Sequence, residues 1–257
     1  MKVKKIAVLA LTSFLMASLC MNVYLYQKVV NQYQSLQAVR LDPTSARRYS
    51  AANARIPEPP SGVSRIVFFG DSRIAGWNPL PNLEKDQLLN RGVPGETTAQ
   101  AVLRLKRDVL TLQPDIAVVQ TGINDLKNIG VFPERKDEIV NSCWENLETV
   151  AGQIADRDIQ LVILTIFPPG PVDLRRRAIW SSDIHQGIDQ VNEKIRRLQD
   201  RGIIVVDCDI LLAFGRSIKP EYAKDMFHLN SAGYETLNGS LSPILQELIQ
   251  NSLKLNN

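Results

Sequence analysis

The sequence predicts an α/β domain in which a mostly parallel, five-stranded sheet carries helices on both faces. Two observations predict it. From Arg65 onward, short β-branched or aliphatic runs alternate with segments of helical periodicity. The runs are apolar throughout, not alternately apolar and polar, and a strand apolar on both sides needs cover on both sides.

The strand candidates, in order, are Ile66–Phe69, Leu88–Asn90, Ile116–Gln120, Leu161–Phe167 and Ile203–Asp207. Val102, Leu105, Val109 and Leu112 form one helical face between them. Ile139, Cys143, Leu147, Val150 and Ile154 form a second, and Ile184, Ile188, Val191, Ile195 and Leu198 a third. A last helix is expected over about 231–253, with Pro243 as a candidate interruption.

Before this body come two segments of different character. Lys2, Lys4 and Lys5 precede an uncharged run from Ile6 to Tyr26. At about 1.5 Å per residue such a run spans roughly 30 Å, the thickness of a bilayer core. Residues 1–27 are therefore read as a transmembrane anchor with the lysines cytoplasmic and the rest of the chain on the far side. A cleaved signal peptide, leaving a secreted or periplasmic protein, is the competing reading, but no small-x-small cleavage site follows the run. Residues 28–62 are polar and end in Pro57-Glu58-Pro59-Pro60-Ser61-Gly62, which reads as a tether. Residues 63–257 are the domain.

Composition excludes some classes of function. A net charge of +3 over 257 residues is too small to make nucleic acid the main partner. Cys20, Cys143 and Cys208 form no Cys-x-x-Cys pair, and His185 and His228 are the chain's two histidines, so no metal site is expected. Cys143 and Cys208 either pair, if the domain lies outside the cytoplasm, or stay as free buried thiols.

The polar residues gather where an open parallel sheet binds its ligands, beyond the carboxyl ends of the strands. Gly70-Asp71-Ser72 follows the first strand and Gly92-Val93-Pro94-Gly95-Glu96-Thr97-Thr98 the second. Gly122-Ile123-Asn124-Asp125 follows the third, and Asp225-Met226-Phe227-His228 lies beyond the fifth. A serine hydroxyl needs a base before it can attack, and an imidazole serves. His228 has a carboxylate three residues earlier, Asp225, in a loop that lets it turn back to the ring and fix its tautomer. Candidate donors to an oxyanion are the N–H groups of Ser72 and Gly95 and the amide of Asn124. Taken singly each motif is an ordinary turn or cap; together, at strand ends, they define a site. No Gly-x-Ser-x-Gly elbow or phosphate-binding Gly-Lys loop occurs.

Gly70-Asp71-Ser72, Gly95, Gly122-x-Asn124-Asp125 and Asp225-x-x-His228 stand in the order of the four blocks of the SGNH (GDSL-type) hydrolases. The text around Ser72 and Gly95 is most similar to bacterial relatives of platelet-activating-factor acetylhydrolase catalytic subunits. The resemblance runs from residue 65 to about 245. It implies a three-layer α/β/α flavodoxin-like fold, carboxylic ester hydrolysis through an acyl-enzyme, and no cofactor. It also implies Ser72 as nucleophile, Asp225 and His228 as the rest of the triad, and Ser72, Gly95 and Asn124 as the oxyanion hole. Short acyl esters of a lipid or glycan are the expected substrates. An O-acyltransferase on the same site and a catalytically silent envelope binding module are the alternatives.

Arg73, Trp77 and Trp180 are candidate substrate contacts; for each tryptophan, packing onto the body is the competing reading. Arg175-Arg176-Arg177 reads as a solvated basic turn, with attraction of an anionic head group as the alternative. Asp125 is expected to brace its loop.

Overall fold

The computed structural model describes residues 2–255, apart from 79, 84 and 175. The chain divides into two compact units, the first ending at Ala46 and the second beginning at Arg47. The first is dominated by one helix, α1 (Lys2–Leu41). From Val3 to Leu41 it is long and apolar enough to cross a membrane, with a mean hydropathy of 2.0 over its most apolar window.

The second unit carries, in order, α2 (Ala46–Asn53, of which the first residue belongs to the other unit), β1 (Arg65–Gly70), α3 (Ser72–Ala75), β2 (Gln87–Gly92) and α4 (Thr98–Asp108). There follow β3 (Ile116–Gln120), α5 (Ile123–Leu126), α6 (Lys136–Ala155), β4 (Gln160–Leu164), α7 (Ser182–Arg196) and β5 (Ile204–Val206). The chain closes with α8 (Cys208–Leu212), a small hairpin of β6 (Ala213–Phe214) and β7 (Ser217–Ile218), and α9 (Ser231–Leu255).

The main sheet has five strands in the order β2-β1-β3-β4-β5, and every pairing is parallel. Side chains alternate across it, as the pleat requires. Val67, Phe69, Ala117 and Val119 face one buried cluster with Leu105, Leu147 and Val191 of α4, α6 and α7. Ile66, Phe68, Ile116 and Val118 face the other with Leu212 of α8 and Leu237, Leu241 and Leu245 of α9. The architecture is the expected α/β/α three-layer arrangement. Cys143 and Cys208 are free and buried in opposite clusters, so the sheet lies between them.

Several boundaries differ from the sequence reading, each for a local reason. β4 stops at Leu164 because the Asn192 side chain takes over both backbone groups of Ile166, at 2.8 Å each, and prolines follow at 168 and 169. α9 runs through Pro243 without a break. An interior proline costs about 3 kcal/mol, and the buried stripe of Leu237, Leu241, Leu245 and Ile249 offsets it.

The stretch expected to be a tether to residue 62 joins the body much earlier. Tyr49 donates to Gly92 O at 2.7 Å, Asn53 to Asp108 Oδ1 at 2.9 Å, and Arg91 to Asn53 Oδ1 at 2.8 Å. The buried Arg65 donates to Pro57 O at 2.7 Å. These contacts are polar and non-local, so hydrophobic periodicity carries no trace of them.

Candidate active site

β1 delivers Ser72 to the carboxyl edge of the sheet. At Gly70, φ is +154° and a Cβ would stand 1.8 Å from Gln120 O on β3, so only glycine fits. Asp71 then caps α3, its Oδ1 accepting from Arg73 N at 2.9 Å. Ser72 is the first residue of that short helix, partly exposed at its N-terminus.

His228 reaches Ser72 from a loop cinched at both ends. Ala223 and Leu229 form an antiparallel bridge, Lys224 N donates to His228 O at 2.9 Å, and Gly170 N donates to Met226 O at 2.7 Å. Within it, Asp225 Oδ1 accepts from Phe227 N at 2.8 Å and His228 N at 3.0 Å. The imidazole Nδ1 lies 2.8 Å from both Asp225 oxygens, and Nε2 lies 2.9 Å from Ser72 Oγ. A carboxylate beside Nδ1 keeps the proton there and leaves the Nε2 lone pair facing the hydroxyl. Partial burial raises the Asp225 carboxyl, but the N–H groups of Phe227 and the His228 ring hold it below the usual carboxylate range. It therefore stays ionised beside the imidazole.

Around Ser72 stand the candidate donors. Gly95 sits in the turn after β2 with φ +78°, and space is open where a Cβ would be. Among the described residues the N–H groups of Ser72 and Gly95 have no acceptor. Asn124, in α5, donates from Nδ2 to Glu96 O at 3.0 Å and accepts from Lys127 Nζ on Oδ1 at 2.6 Å. One Nδ2 proton remains for another acceptor. A serine, an imidazole and a carboxylate in series, with donors nearby, is what nucleophilic acyl chemistry requires. Among the described residues no three His, Cys, Asp or Glu side chains gather as a metal-holding group.

Residues 68–236 match the model of the GDSL-like Lipase/Acylhydrolase family, well over half of the chain. The chain belongs to the GDSL-like lipase/acylhydrolase family. Its fold also matches solved structures. One is a proposed acylhydrolase of Bacteroides fragilis, with TM-score 0.66, 23% identity, and coverage of 82% of this chain and 99% of that one. Another is a proposed platelet activating factor protein of Streptococcus pneumonia, with TM-score 0.66, 23% identity, and coverage of 84% and 98%. The uncharacterized lipoprotein YqeF of Bacillus subtilis is 29% identical over 124 residues, 42% of this chain and 50% of the relative. The chain thus spans about half the length of that curated relative.

In this GDSL-type domain, two of the three expected substrate contacts point elsewhere. Arg73 is buried: its guanidinium lies 3.6 Å from the Phe167 ring centre and donates to Phe167 O at 2.8 Å and Phe227 O at 3.1 Å. Burial brings its pKa down to about 10, so it stays charged while joining α3 to the His228 loop. Trp77 packs between Phe68 and Tyr234 at 5.5 and 5.6 Å and donates to Asn238 Oδ1 at 2.7 Å. Both follow Ser72 closely in sequence but turn into the core. Trp180 does lie near the site, half-buried and 5.9 Å from Phe227, with His185 on another side at 6.1 Å. Of the arginine run, Arg175 lies outside the described residues, and Arg176 stands 4.7 Å from the Phe227 ring centre, paired with Asp173 at 3.5 Å.

Sequence reading also missed a charged cluster under the GDSL site. Arg104 of α4 is fully buried, holds both oxygens of Glu96, meets Asp108 at 3.3 Å, and donates to Gly70 O at 3.0 Å. It thereby clamps the ends of β1 and the Gly95 turn together. The visible signal was the Arg104–Asp108 spacing of four beside the buried Ala101 and Leu105.

Asp125 fastens α5 to the start of α4, accepting from Thr98 N at 2.9 Å and Thr98 Oγ1 at 2.7 Å. Burial lifts its carboxyl to about 6, against the pull of those donors. A carboxyl with a raised pKa supports the fold fully at low pH, and that support is lost as pH rises from the unfolded value of 3.8 to about 6. The loss amounts to about 3 kcal/mol. Asp125→Asn is expected to remove this component. Urea midpoints at pH 4 and pH 7 check it: the wild type should drop further than the variant, and equal drops would refute the assignment.

Proposed function

We propose that the chain is a serine esterase that hydrolyses short-acyl carboxylic esters of a lipid or glycan through an acyl-enzyme. The observation that carries this reading is the continuous relay from Asp225 through His228 to Ser72, with contacts of 2.8 and 2.9 Å. In the proposed reaction, Ser72 Oγ attacks the carbonyl carbon while His228 Nε2 takes its proton. The N–H groups of Ser72 and Gly95 and the Asn124 amide hold the negative oxygen that forms. The bond to the alcohol breaks as His228 returns the proton to the departing oxygen, leaving the acyl group on Ser72. Water, giving its proton to His228, attacks this ester; the acyl–Oγ bond then breaks as His228 returns the proton to Ser72 Oγ, releasing the acid and restoring both side chains.

The site is open: the His228 and Asp225 side chains are 34% and 52% exposed. An ester cleaved so near the surface suits a short acyl chain, with Trp180 and Phe227 walling one side. The apolar α1, with Lys2, Lys4 and Lys5 at its start, supports a single-pass anchor with the catalytic unit extracytoplasmic.

The test is hydrolysis by the detergent-solubilised chain of p-nitrophenyl acetate, butyrate and decanoate. Acetate and butyrate esters are expected to give the higher kcat/KM; faster decanoate turnover would overturn the short-acyl reading. Accumulation of a new ester on an added glycan, in place of free acetate, would replace hydrolysis by acyl transfer. A folded chain that turns over none of these esters would favour the binding module.

A further inference from the structure

We infer that Lys127 is a positioning residue that orients and polarises the Asn124 amide toward the oxyanion; this rests on the esterase reading above. A side-chain amide has two ends that differ in chemistry but hardly in shape, so its useful direction must be imposed. Here both ends are assigned by partners that cannot exchange roles. Lys127 Nζ, a donor only, takes Asn124 Oδ1 at 2.6 Å, and Glu96 O, an acceptor only, takes one Nδ2 proton at 3.0 Å. The second Nδ2 proton is thereby left to face outward. Glu96 follows Gly95, so the same amide also ties together the two elements that carry the proposed donors.

The lysine is placed to act by charge as well as by geometry. It is half-buried, and among the described residues no carboxylate forms an ion pair with it. It stands 5.7 Å from the ring centre of Phe227, the residue before His228, with Arg176 against the same ring. Burial and the like charge of Arg176 make its proton harder to keep. Asp71 and Asp125 favour its charge from beyond ion-pair distance, so in the resting protein the cation has no carboxylate in direct contact. The oxyanion of the tetrahedral intermediate brings a further negative charge, relayed through the amide, and an interaction strongest at that moment accelerates the chemical step. A cation on the amide oxygen also makes the N–H a stronger donor.

The test is a double-mutant cycle on p-nitrophenyl acetate, with kcat and KM measured for wild type, Lys127→Met, Asn124→Ala and the double variant. Lys127→Met is expected to lower kcat by about 10- to 100-fold, a share of what removing a whole oxyanion donor costs, with KM within about threefold. In the Asn124→Ala background the same change should have little further effect, because the partner through which it acts is gone. Lys127→Arg, which can still donate to Oδ1, should recover most of the loss. Lys127→Ala repeats the measurement should the methionine variant not fold. A kcat within twofold of wild type, or an equal loss with and without Asn124, would overturn the inference. So would a rise in KM at constant kcat, which would assign Lys127 to substrate binding. These outcomes are read beside active wild type; wild type without turnover overturns the esterase reading itself.

Discussion

Ser72→Ala is expected to reduce ester hydrolysis to background, a fall of about 10³-fold or more, without loss of the fold. The substitution removes one atom whose partner is His228 Nε2 at 2.9 Å. It leaves the proposed oxyanion donors, the N–H groups at positions 72 and 95 and the Asn124 amide, in place, so only the proposed covalent route is closed. Residual catalysis from such donors alone is small compared with the intact relay. The thermal midpoint should barely move, because Ser72 is partly exposed and the substitution removes a single hydroxyl oxygen. Steady-state kinetics on p-nitrophenyl acetate, with a melt of both proteins, checks both halves. A variant retaining a tenth of the wild-type rate would place the nucleophile elsewhere.

The largest expected effect on stability comes from Arg104→Met. The guanidinium lies 4.1 Å from the Phe69 ring centre and is shared by Glu96, Asp108 and Gly70 O. Methionine fills part of the space but leaves Glu96 buried without its countercharge. Breaking a buried pair from one side costs about 3–5 kcal/mol, much more than the intact pair contributes. Urea unfolding followed by the fluorescence of the buried tryptophan, Trp77, should show a lower midpoint at unchanged slope. Adding Glu96→Gln is expected to recover part of the loss, since the uncompensated charge goes with it. A single variant as stable as wild type would show that the cluster is solvated.

What the sequence revealed follows from how local each feature is. The strands were legible because a strand buried on both faces is written as an unbroken apolar run, as in Ile116–Gln120. Ser72 and Asn124 were legible because each comes within a few residues of a strand's carboxyl end, and Asp225 and His228 because the pair stands in the polar loop ahead of the last helix, where a core gives polar residues no reason to stand. The direction of Arg73 and Trp77 was not legible. Sequence distance from Ser72 says nothing about which side of a four-residue helix a side chain takes, and both turned inward. The Glu96–Arg104 and Asn124–Glu96 contacts join separate segments through polar atoms, and the docking of Tyr49 and Asn53 does the same. Periodicity records apolar faces, so contacts of this kind appear only in three dimensions.

Activation of Ser72 by His228 for covalent chemistry can be read with a fluorophosphonate probe on the full chain, the modified peptide being located by mass spectrometry. One label per chain is expected, on Ser72, slowed strongly in His228→Ala and absent in Ser72→Ala. A folded chain that takes no label, or takes it on another residue, would mean that Ser72 is not the activated nucleophile.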